Sequence, residues 1–220
     1  MSTRTTVVLT LLMIGIAVGI SLAVFGQLPE RVASHWNIND QVDGTMSRFW
    51  GAFLMPLITL GMLGLFLIIP VIDPMRANIA TFRRPFNVFI VLIVAFLLYL
   101  HVLTILWNLG VQTFRISSAM LPAMGLLFIF VGVMLRQARR NFSIGIRTPW
   151  TLSSDRVWDR THRLGATLFM VSGVLAALGA LFPGNIAYLL VLGPVLASSL
   201  FLVVYSYILW REEQTGSPRD

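Results

Sequence analysis

Six stretches of this chain are each long and apolar enough to cross a lipid bilayer, and they constrain everything else about its fold. They cover approximately residues 6–26, 49–71, 86–107, 116–135, 164–182 and 186–209. A spanning helix needs about 20 apolar residues to cross about 30 Å of hydrocarbon. In water, 220 residues of which 57% are hydrophobic and 11% charged leave too little polar surface to cover six such runs. An ordinary soluble domain is about a quarter charged. The predicted fold is all-α and polytopic, a bundle of six transmembrane helices. Pro56 and Pro194 are expected to kink their helices. Arg4 precedes the first run as in a secretory signal, but the run exceeds the usual ~7–15 residues and no small-x-small site precedes Gln27. It is expected to stay as a first helix.

The formal net charge of +7 raises the question of nucleic acid, and the placement of the charges answers it. All 16 basic residues are Arg, and most flank apolar runs rather than forming one patch. That is an orientation signal, so no direct nucleic-acid contact is expected. With six spans, the N-terminus, loop 72–85, loop 136–163 and the C-terminal tail share one side. Thirteen arginines fall there, against Arg31, Arg48 and Arg115 on the other. The positive-inside bias then places both termini in the cytoplasm. Tryptophans prefer the headgroup level, and they agree: Trp36, Trp50 and Trp107 group at the outer side, Trp150, Trp158 and Trp210 at the inner. Cysteine is absent, which removes disulfides and thiolate metal sites.

Two loops exceed the usual ~2–8 residues of a bundle connection: an outer one at 27–48 and an inner one at 136–163. They divide the chain into residues 1–71, with two helices and the outer loop, and residues 72–220, with four helices and the inner loop. The tail "EEQTGSPRD" reads as disordered. Gly15-x-x-x-Gly19 has the small-residue spacing that suits close helix packing.

In the inner loop, Thr148 precedes Pro149 and must leave the helical region. Ser153 or Ser154 then reads as an N-cap, with Asp155 in the first turn where the helix dipole favours an anion. The helix it starts can run into the fifth span. On it Arg156, Arg160 and Arg163 align, Trp158 and His162 form an i, i+4 pair, and Asp159 can reach Arg163. Two readings stand: an interfacial anchor at an anionic leaflet, and a docking surface for a cytoplasmic protein.

The residues also carry a resemblance. "FSIGIRTPWTLSSDRVWDRTHRLG" resembles the signature of the SdpI family of bacterial immunity proteins, and "LPERVASHWNINDQVDGTMSRFWG" resembles the small domain of unknown function that often precedes it. The resemblance implies a multi-span protein of the bacterial inner membrane, linked to immunity against a secreted toxic peptide. It also implies, for some members, a cytoplasmic transcriptional repressor held at the membrane. The motif positions it marks are Pro29, His35, Trp36, Asn37, Asp43 and Gly44 outside, as a ligand surface. Inside they are Asn141, Gly145, Arg147, Thr148, Pro149, Trp150, Trp158 and His162, as a partner surface.

The remaining polar residues leave less. In the outer loop Asp43-Gly44 is a turn signal, and Asn37, Asn39 and Asp40 suit local Asx bonds. His35, Asp40, Asp43 and His101 match no recognised ligand spacing, so neither metal nor cofactor is expected. His101, Thr104 and Asn108 share a helix face, as packing residues or, in a transporter of small molecules or lipids, as part of a path. No nucleophile elbow, phosphate loop or buried acid pair occurs, so no catalysis is expected. A membrane-embedded enzyme using His35 or His162 is the remaining alternative.

Overall fold

A computed structural model describes residues 1–216. Among these residues six helices are long and apolar enough to cross a membrane. They are α1 (Thr3–Val24), α2 (Arg48–Ile72), α4 (Arg83–Asn108), α5 (Ile116–Leu135), α7 (Asp155–Gly179) and α8 (Gly184–Gln214), with short helices α3 (Arg76–Thr81) and α6 (Pro149–Ser153) between them. Each span falls on a predicted run. Helix α7 starts nine residues before its apolar run, as expected of a cap at this point: Ser154 caps it, accepting a hydrogen bond from Val157 N. Helices α2 and α8 run unbroken through Pro56 and Pro194. Helix α8 also includes Glu212 to Gln214 of the tail expected to be disordered, and Ser217 to Asp220, with Arg219, lie outside the described residues.

The spans alternate in direction. One end of the bundle holds the start of α1, the end of α8, α3 and the segment 136–154. The other holds the loop between α1 and α2, and that loop is not helical at all. It forms an antiparallel hairpin of β1 (Arg31–Trp36) and β2 (Val42–Ser47), the one sheet among the described residues. The expected turn at Asp43-Gly44 is instead inside β2. The chain reverses over Asn37–Gln41, where the Asn37 Oδ1 accepts from Asn39 N and Gln41 N and Asp40 takes φ 58°. A short polar side chain tolerates that left-handed conformation. Gly44 serves another purpose: a Cβ there would lie 2.9 Å from the His35 Cβ, where the register slips.

Lipid tails are as apolar as leucine, so helices in a bilayer associate through close packing and polar contacts rather than through the hydrophobic effect. The tightest pair is α5 with α7. A Cβ on Gly132 would fall 2.5 Å from the Ala166 carbonyl, and one on Gly173 would fall 2.5 Å from the Gly125 carbonyl. At Gly125 and Gly173 two backbones touch because neither residue carries a side chain. The sequence pointed elsewhere: Gly15 and Gly19 have nothing within 4 Å of an added Cβ.

Cores differ between the two ends. At the terminal end one cluster joins Leu63 and Phe86 to Met134, Ala138 and Trp158, crossing from α2 and α4 to α5 and α7. At the hairpin end there are two clusters. Leu28, Val32, Ala52 and Ile105 pack together beneath the hairpin, while Leu121, Ala176, Ala187 and Val191 pack among α5, α7 and α8. The bundle is two three-helix halves, fused at one end.

An added methyl group on the α5–α7 seam has nowhere to go without moving backbone. Gly132→Ala and Gly173→Ala are each expected to cost about 1–3 kcal/mol, the usual penalty of overpacking. Gly15→Ala and Gly19→Ala are expected to cost nothing, since alanine is the better helix former. Chemical unfolding in detergent followed by circular dichroism measures this, and equal losses at both pairs would contradict the seam.

Candidate functional site

Both recognisable stretches are built structures at opposite ends of the bundle. The hairpin is pinned to the helices by side chains acting on backbone. Asn108, at the end of α4, accepts from Ala33 N at 2.8 Å and donates to Ala33 O at 3.0 Å, pairing β1 as a neighbouring strand would. One turn of chain further on, Asp40 reaches the other half. Its carboxylate accepts from Ser117 N at 2.9 Å, Ser117 Oγ at 2.6 Å and Arg115 Nε at 2.9 Å. The N-cap residue of α5, Arg115, gives that helix no side-chain cap. Asp40 supplies it from the hairpin, placing an anion where the helix dipole is positive.

On the outward face of the hairpin His35 Nδ1 meets the Asp43 carboxylate at 2.5 Å, with both side chains well exposed. Trp36 turns inward, edge-on to Trp107 at 5.4 Å. Pro29 stands at the base, its carbonyl accepting from Arg48 Nε at 3.4 Å. Of the six outer motif residues, the structure brings His35, Asp43 and Gly44 together. Asn37 belongs to the turn and Pro29 to the base. Beneath the hairpin lies a cavity of about 310 Å3, walled by Met55, Leu103, Thr104, Ser117, Met120 and Tyr188 and roofed by Ser34 to Trp36.

His101 is buried, with Nε2 3.0 Å from Ser21 Oγ, and Ser21 donates in turn to the Ala52 carbonyl. It ties α4 to α1 and α2. Asp40 and His101 are therefore committed elsewhere and do not join His35 and Asp43. Among the described residues no three of His, Cys, Asp and Glu gather as a metal would need.

At the terminal end the segment 136–154 is held by a chain of buried polar contacts. Asn141 satisfies its whole amide: Oδ1 accepts from Ser143 N and Ile144 N, while Nδ2 donates to the Arg139 and Ile144 carbonyls. Asp73, just beyond α2, accepts from Phe142 N at 3.0 Å and Ser143 Oγ at 2.6 Å. Gly145 takes φ 119°, and a Cβ there would lie 2.5 Å from His162 Nε2. That nitrogen accepts from Ile146 N at 3.0 Å, so the ring proton sits on Nδ1, which donates to the Trp158 carbonyl at 2.8 Å. Two committed nitrogens make His162 a neutral structural clamp. Its ring stacks on Trp158 at 3.9 Å, and Trp158 Nε1 donates to the Ala138 carbonyl. Thr148 and Thr151 form a capping box for α6, with Thr148 Oγ1 3.0 Å from Ser206 Oγ on α8.

The expected partner surface is thus mostly interior. Asn141, Thr148, Trp158 and His162 are buried, and Trp158 belongs to the core rather than to an interfacial belt. Gly145 is part-buried against them. Arg147 and Pro149 are exposed, and half-buried Trp150 packs on Tyr207 at 5.1 Å. Exposed Phe142 joins this face, and nothing in its spacing marked it. Asp159 pairs with Arg139 at 3.5 Å instead of with Arg163.

These placements separate fold from surface. Gly145→Ala and Asn141→Ala are expected to cost about 1–3 kcal/mol, by strain in one case and by orphaned buried groups in the other. Both should lower the amount of protein in the membrane, whereas Phe142→Ala and Trp150→Ala should leave it unchanged. Immunoblots of membrane fractions read the difference, and normal levels of the first pair would contradict the clamp.

Comparison with known proteins matches two parts of the chain to families. Residues 137–206 match the SdpI/YfhL protein family, and residues 12–60 match DUF1648, a domain of unknown function. The immunity protein SdpI of Bacillus subtilis (strain 168) is 25% identical over 187 residues, covering 85% of this chain and 87% of that protein. No solved structure matches the chain. The first match takes in most of the clamped segment, α7 and most of α8, and the second takes in the hairpin. This multi-pass membrane protein therefore carries an SdpI/YfhL-family region, preceded by a DUF1648 domain.

Proposed function

We propose that the chain is an immunity protein of the bacterial inner membrane, protecting its cell from a secreted, membrane-active peptide. In this reading the hairpin faces outward and both termini, with segment 136–154, lie in the cytoplasm. Residues 1–71 then supply the capture side. Residues 72–220 supply the support and an inward face, formed by Phe142, Arg147, Pro149 and Trp150, for a cytoplasmic repressor. The likeness to the Bacillus immunity protein supports the protective role. One observation carries the location. The hairpin stands at the end that holds only three of the arginines, Arg31, Arg48 and Arg115, and His35 and Asp43 present a paired, exposed polar face there over a cavity. Twelve described arginines at the opposite end support the orientation by the positive-inside bias.

The test is a killing assay. Cells without the gene are expected to be killed by peptide-containing culture medium of their own species that wild-type cells survive. Replacing His35, Trp36 and Asp43 together with Ala should lower the tolerated dose at least tenfold at unchanged membrane abundance. Full protection by an abundant triple variant would remove the hairpin from the mechanism. Trp150→Ala and Arg147→Lys should impair the inward response, because a stacked or forked contact does not accept lysine. Lysine at positions 156, 160 and 163 together should be nearly silent, since leaflet attraction is nonspecific.

A further inference from the structure

We propose that the peptide met by the hairpin is held beneath it, in the cavity between the two three-helix halves. This site rests on the protective reading above and gives it a location. The halves share one core at the terminal end and have separate cores at the hairpin end. Between those separate cores lies the cavity of about 310 Å3, with a smaller one of about 80 Å3 sharing Ser34, Met55 and Thr104. Its floor is apolar, from Met55 on α2, Leu100 and Leu103 on α4 and Met120 on α5. Leu100 stands eight residues from the end of α4 at Asn108, so the floor is about 12 Å down the helix, within the leaflet on that side.

The polar groups of the cavity identify the occupant. Ser34, Thr104 and Tyr188 line it from three different elements, and none of their hydroxyls is hydrogen-bonded to a described residue. A hydroxyl both donates and accepts. A peptide segment offers an N–H and a C=O at each residue, and inside a membrane both need partners. A lipid ester offers only acceptors and leaves the accepting side of three hydroxyls unused. The combination of apolar floor and uncommitted hydroxyls therefore fits a short apolar stretch of peptide. The volume is at the lower end of the ~300–1,000 Å3 usual for ligand pockets, enough for a few side chains and not for a helix. Met55 and Met120 are unbranched and adapt to irregular contents. The hairpin closes the roof through Asp40, whose bonds to Arg115 and Ser117 are the strap from the first half to the second.

The test uses the full chain in its own membrane, with the benzophenone amino acid p-benzoylphenylalanine as the probe. It replaces Met120 in the cavity or, separately, Val42 on the exposed side of the hairpin. Cells treated with the killing medium are irradiated and the purified chain is weighed by mass spectrometry. The expected result is a peptide adduct at position 120 and none at 42. It should disappear in the shape-preserving variant Ser34→Ala, Thr104→Val, Tyr188→Phe, which should also lose at least tenfold in tolerated dose at normal abundance. A phospholipid adduct at 120 overturns the site in favour of a lipid pocket. A peptide adduct at 42 alone overturns the site and leaves the protective reading standing. Killing that does not differ between wild-type and gene-deleted cells sinks the protective reading and the site with it.

Discussion

Backbone contact between α5 and α7 is the interaction on which the rest of the structure depends. In a bilayer nothing apolar is gained by pressing one leucine-covered helix on another, so association needs surfaces that approach more closely than lipid can. Gly125, Gly132 and Gly173 provide that approach. With α5 and α7 locked, the start of α7 brings Trp158 and His162 under the segment 136–148, and the start of α5 stands where Asp40 can cap it. The same rigid pair thus serves both ends of the molecule.

The ends themselves follow from a second constraint, that irregular backbone near a membrane must find its hydrogen bonds within the protein. At the terminal end Asn141, Asp73, His162 and the Thr148–Thr151 box satisfy the chain almost completely. At the hairpin end Asn108 and Asp40 do so for the strands, yet three hydroxyls beneath them are left uncommitted. The irregular segment at one end is bonded along its length, while the hairpin at the other roofs a cavity, and the proposed division of labour follows that difference.

Much of this was legible in the sequence. Span lengths and arginine placement define six helices, and Thr148-Pro149 and Ser154 mark real caps, because each signal depends on only a few neighbouring residues. The hairpin was not legible. β1 has the burial pattern of a strand docked on helices and β2 is largely exposed, so neither shows a clean alternation, and its pairing with Asn108 lies 75 residues away. Gly15-x-x-x-Gly19 and the α5–α7 glycines are indistinguishable without knowing which helix faces which. The inner motif misled in a similar way. Trp158 and His162 among arginines look like a surface, but their i, i+4 spacing serves to stack the two rings inside the fold. Asp40 was visible as a turn residue or a candidate ligand but not as a helix cap, since its partners lie in a distant helix.

Everything proposed about function rests on which end faces outward. The chain has no cysteine, so single cysteines can be placed in place of exposed Asn39, at the hairpin turn, and exposed Gln137, at the start of the clamped segment. A membrane-impermeant maleimide applied to intact cells should label the cysteine at 39 and reach the one at 137 only after the membrane is opened. Labelling at 137 in intact cells, with 39 protected until lysis, would contradict the account.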